Sequence, residues 1–89
     1  MNAGDIVTVL TVAGEFIGKL KHKDGDAVTL EDPRMLVQGQ DGAMGFGYGV
    51  CVTGEKNPKV VEFMGVVLIT PTNEDIIKAW RQATSGLIT

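Results

Sequence analysis

Lys21, His22, Lys23 and Asp24 are consecutive, and the first three with Lys19 form the only dense run of basic side chains in the chain. Clustered ammonium groups attract phosphate oxygens, so this run is the first candidate for nucleic-acid contact. Asp24 and Asp26 follow at once and partly cancel it, so the same residues also read as solvated charges at a strand end. The other cations are more dilute, since Lys56 and Lys59 sit beside Glu55, and Lys78 and Arg81 lie near Glu74 and Asp75.

Other chemistry finds less support. Cys51 would need a base to act as a nucleophile, and His22 is the single histidine, so Cys51 reads better as a small buried residue. One cysteine and one histidine exclude an internal disulfide framework and a Cys/His zinc site within the chain. Asp24 with Asp26, or Glu31 with Asp32, could hold a cation, but both pairs read better as turn and surface residues. Gly45-Phe46-Gly47-Tyr48-Gly49 has the glycines of a phosphate loop, yet such loops follow a strand and open a helix, whereas this one lies inside a strand pattern. Phe46 and Tyr48 could stack bases if exposed, or pack in a core or between subunits. No catalytic residue, cofactor or metal site can be named, so the chain does not read as an enzyme.

The elements that must carry these residues are short. Eighty-nine residues support one domain, and 12 glycines raise the cost of ordering it, which association with copies of itself would relieve. The longest apolar run, Val66-Val67-Leu68-Ile69, is far below the roughly 20 residues of a membrane helix, and the first five residues lack the parts of a signal peptide. The expectation is a soluble, intracellular protein of the cytoplasm. Net charge of −3 means that the molecule as a whole repels nucleic acid.

Apolar alternation and turn residues predict strands at about 6–12, 15–23, 27–37, 44–53 and 59–69. Asp24-Gly25-Asp26 suits a tight hairpin turn, Pro33 marks a bend or an unpaired position in the third strand, and Gly65 marks a bulge or bend in the fifth. In the fourth, Met44, Phe46, Tyr48, Val50 and Val52 share one face, with Gly45, Gly47, Gly49 and Cys51 on the other. After Pro71 the period changes to that of a helix at about 73–85. Thr72 or Asn73 would be its N-cap, Glu74 and Asp75 its first turn, Ile76, Ile77, Trp80, Ala83 and Leu87 its apolar stripe, and Gly86 its stop. The fold class is mainly β, a five-stranded, strongly bent, small open barrel with a C-terminal α-helix.

The run Val9-Leu10-Thr11-Val12-Ala13-Gly14-Glu15-Phe16-Ile17-Gly18-Lys19-Leu20, then Asp24 and Val28-Thr29-Leu30-Glu31-Asp32, resembles the first motif of the Sm-like (Sm/LSm/Hfq) ring-forming family. The second motif has two registers, in which either Met64-Gly65 or Thr53-Gly54 stands where the family has Arg-Gly. In the first, the stretch at 44–53 is an extra excursion; in the second, it is strand four. The family usually begins with a helix, whereas here the helix follows the last strand. Glycine-rich chains with Leu-Glu-Asp-Pro-Arg look like Sm-like proteins encoded by marine phages, which would place the chain in a host cytoplasm.

The resemblance implies a homo-oligomeric ring of about five to seven subunits, closed by pairing the fourth strand of one with the fifth of the next. Val60, Val61, Phe63, Val66 and Val67 would lie near that interface. It also implies single-stranded RNA at the pore, where the family uses an aromatic residue, an asparagine and an arginine. Here the asparagine position falls on Ala27, the aromatic position in the shortened Asp24-Gly25-Asp26 turn, and the arginine on Met64 or Thr53. Lys21, His22, Lys23 and Asp24 remain as RNA-binding candidates. The alternative is a ring or assembly module that binds protein instead of RNA.

Overall fold

The computed structural model describes residues 1–47, 49–51 and 53–85. The chain is mainly β, an open antiparallel sheet followed by one helix. Strands β1 (Ile6–Thr11), β2 (Gly14–Asp24) and β3 (Ala27–Gln38) form a meander in which the strand that the alternation predicts at 15–23 pairs with both neighbours. Val7, Val9, Phe16, Leu20, Val28, Leu30 and Phe63 form a buried cluster on one face. Ile6 and Ile17, one position out of phase with Val7 and Phe16, point to the other face and meet Trp80. Both faces of the sheet are therefore covered, one by its own bent strands and the other by the helix.

Two irregularities reshape the meander. Ile17 pairs with Arg34 and Lys19 with Glu31, so Asp32 and Pro33 together oppose Gly18. Such a bulge bends the strand. Asp32 takes φ 49°, in the left-handed region that aspartate tolerates better than most residues. Gly18 permits the bend, because a Cβ there would lie 3.0 Å from the Leu30 Cβ and 3.1 Å from the Glu31 carbonyl oxygen. The second bulge places Lys21 between the pairs Leu20–Leu30 and His22–Thr29. Leu20 and His22 thereby fall on opposite faces, where plain alternation would have put them together.

The stretches predicted at 44–53 and 59–69 break differently. Among the described residues of the first stretch only β4 (Met44–Phe46) is a strand, pairing with residues 36–38 of β3. The alternation of large residues with glycine imitates a strand, but Gly49 adopts φ 72° and its backbone folds onto Glu55, where a side chain would collide. Tyr48 and Val52 lie outside the described residues, as do Gly86 and Leu87. The expected fifth strand is two strands, β5 (Val60–Phe63) and β6 (Leu68–Pro71), separated at Gly65 with φ 71°. β5 pairs with residues 28–31 of β3, while β6 pairs with β1. Strands adjacent in sequence thus occupy opposite ends of the sheet order.

Helix α1 (Glu74–Thr84) begins at Asn73, whose side-chain oxygen accepts a hydrogen bond from the Ile76 amide at 3.0 Å. Glu74 and Asp75 in its first turn and Arg81 in its last complement the helix dipole. Its apolar side lies on the sheet, with Ile76, Ile77 and Trp80 against Ile6, Ile17, Leu36 and Phe46. The Trp80 indole donates to the Asp32 carbonyl at 2.9 Å, tying the helix to the bulge. No helix among the described residues is long and apolar enough to cross a membrane.

Candidate functional site

Lys21, His22, Lys23 and Asp24 are all exposed at the far end of β2. Asp24 pairs with Ala27 across a two-residue turn in which Gly25 takes φ 63°, and the Lys23 ammonium donates to the Gly25 carbonyl at 3.0 Å. Because of the Lys21 bulge, His22 shares a row with Thr29 of β3 and, beyond it, Glu62 of β5. Asp24, Asp26 and Glu62 therefore surround the basic run with carboxylates. The patch is nearly balanced in charge and fully hydrated, which weakens its hold on phosphate.

The crossing between β5 and β6 passes this turn. The Val66 amide donates to the Asp26 carbonyl at 3.1 Å, and the Val67 amide donates to the Leu10 carbonyl at 2.8 Å. Residues 64–67 thus run from the β2–β3 turn to β1, and bring Met64-Gly65 beside the Asp24-Gly25-Asp26 turn. Thr53 and Gly54 belong instead to the excursion between β4 and β5, as does Cys51. Cys51 is exposed there, against the expectation of burial, because the strand that would have carried it inward ends at Phe46.

The residues expected at an interface fall into two groups. Phe63 is buried in the chain's own core, its ring 4.7 Å from that of Phe16, and Val61 and Val66 are half-buried against the same cluster. Val60 is 45% exposed and Val67 63% exposed, joined by Met64 and Leu68, which pattern alone did not single out. Among the described residues each of β5 and β6 has one strand partner, so each presents an outer edge there.

One polar cavity was not foreseen. Arg34, only 7% exposed, lies under the end of α1, and with Asp32, Asn57, Lys59, Ala83 and Thr84 it lines a cavity of about 260 Å³. Its guanidinium donates to the adjacent Pro33 carbonyl at 2.9 Å. Among the described residues no carboxylate lies within 4.0 Å of it. The sequence signal was faint, since one arginine after a proline predicts exposure, and only the bulge at Asp32-Pro33 turns it beneath the helix. No family model matches the chain, and no curated protein does so either.

Proposed function

We propose that the chain is a subunit of an Sm-like homo-oligomeric ring, assembled by pairing the outer edge of β5 with the outer edge of β6 in the next copy. The observation that carries this reading is the sheet order among the described residues: β6 closes one end and pairs only with β1, while β5, joined to it by residues 64–67, pairs, like β4, only with β3 at the other. Two different free edges on one chain make a head-to-tail contact, which closes into a ring when the rotation per subunit divides a full turn. Val60, Val67 and Leu68 leave apolar surface at those edges, as a buried interface requires. The position of Met64-Gly65 beside the Asp24-Gly25-Asp26 turn supports its register as the second motif, with residues 47–59 as an excursion. Light scattering at micromolar concentration should give a multiple of 9.5 kDa; a single 9.5 kDa species would sink the proposal.

For the ligand, the ring as an assembly module that binds protein is the better supported reading, because Asp24, Asp26 and Glu62 offset Lys21, His22 and Lys23. Single-stranded RNA is the competing one. Fluorescence anisotropy with oligo-U and oligo-A over a salt series separates them. Salt-sensitive micromolar binding that falls on charge reversal of Lys21 and Lys23 would establish RNA contact.

A further inference from the structure

We infer that the cavity beneath the C-terminal end of α1 binds a phosphate group, held by Arg34 together with Lys59 and Asn57. Arginine remains charged at any physiological pH and presents five N–H donors in a planar fork. Arg34 as a residue is 7% exposed, its guanidinium donates to one carbonyl, that of its own neighbour Pro33, and the donors left over still reach solvent. A largely enclosed cation with donors to spare is a ready partner for an anion's oxygens. Asp32 lines the cavity but is not within ion-pairing distance, and its backbone amide and carbonyl are occupied by the Lys59 carbonyl and the Trp80 indole. Ile17, opposite Arg34 in the sheet, and Trp80 supply apolar surroundings that strengthen a charge-assisted bond.

The lining side chains carry two cations against one carboxylate in a chain of net charge −3, and the partial negative charge at the end of α1 offsets part of that excess. A phosphate monoester carries roughly −1.5 to −2 at neutral pH, which complements that excess, and its oxygens suit a guanidinium fork. The volume of about 260 Å³ lies under the roughly 300–1,000 Å³ usual for whole cofactors, so the site takes a phosphate group and leaves the remainder of a larger ligand outside. Asn57 and Lys59 are exposed and supply the entrance, whereas Arg34 supplies the floor. The site is separate from residues 21–24 and does not depend on ring assembly.

Trp80 is the single tryptophan and bonds to Asp32 at the cavity wall, so its fluorescence reports on occupancy. The full chain is titrated with inorganic phosphate, with ionic strength held constant by sodium chloride. A saturable change is expected, with Kd raised about tenfold or more in Lys59→Gln and in Asn57→Asp, as for loss of a charge-assisted bond or addition of a like charge. Arg34→Gln should abolish the change; if that variant fails to fold, the two exposed substitutions, checked by circular dichroism, still decide. The double variant Lys21→Gln, Lys23→Gln should bind like the parent. Adenosine 5′-monophosphate and a dinucleotide lacking a terminal phosphate identify the source: binding of the first alone points to a terminal phosphate, binding of both to a backbone phosphodiester. No saturable change beyond that of chloride, or unaltered Kd in both Lys59→Gln and Asn57→Asp, would overturn the site and leave Arg34 as a partner for the helix's last carbonyls.

Discussion

Val7, Val9 and Val28 are completely buried, whereas Val60, which opens β5, and Val67, just before β6, are the same residue type and stand exposed. Hydropathy does not separate them, because a valine is equally apolar at both places. Position in the strand order does. β1, β2 and β3 have neighbours on both sides, and the cluster around Leu30 closes over them. β5 and β6 each have a neighbour on one side only. The centre of the sheet is complete within one chain, and its ends are complete only when something else pairs with them.

Substitutions can set these two regions against each other. Leu30→Ala, in the fully buried centre, should lower unfolding free energy by about 2–5 kcal/mol in urea titration, through lost transfer energy and the cavity left behind. A cost under about 1 kcal/mol would mean that the centre is not the stable half. Gly18→Ala should cost about 1–3 kcal/mol, because the added methyl meets Leu30 and the Glu31 carbonyl and forces β3 to straighten or shift. Asn73→Ala, which removes the helix cap, should cost about 1 kcal/mol and leave the sheet unchanged by amide exchange. Val67→Asp sharpens the contrast most: stability of the dissociated chain should move by no more than about 0.5 kcal/mol, while light scattering shifts toward the single subunit. Unfolding of that variant instead would show that Val67 serves the chain's own core.

The meander was legible because both sheet faces are apolar in phase with a two-residue period, and because Asp24-Gly25-Asp26 and Pro33 mark its turn and its bend. Gly65 was legible as a bend, since glycine takes its φ of 71°, but not as the place where one expected strand becomes two with different partners. Two other features were hidden. Residues 44–53 alternate large and glycine positions as a strand does, yet glycine also permits the loop observed after Phe46, and local pattern cannot choose between them. Arg34 was hidden more deeply, because its burial follows from a bulge opposite Gly18 and from a helix that arrives some 40 residues later. Of the candidate site residues, exposure of residues 21–24 followed from their charge, whereas the reversal of His22 to the other face required the extra residue at Lys21.

The bond from the Trp80 indole to the Asp32 carbonyl has an uneven genetics. Where two side chains meet, mutation can delete either partner. In this pair the acceptor is backbone, and no replacement at position 32 removes it, so the contact can be deleted directly only through Trp80. It can also be lost indirectly, by anything that relaxes the left-handed turn at Asp32 and swings the carbonyl away. The seating of the helix and the kink of β3 therefore share one bond, beside the apolar packing of Ile76 and Ile77.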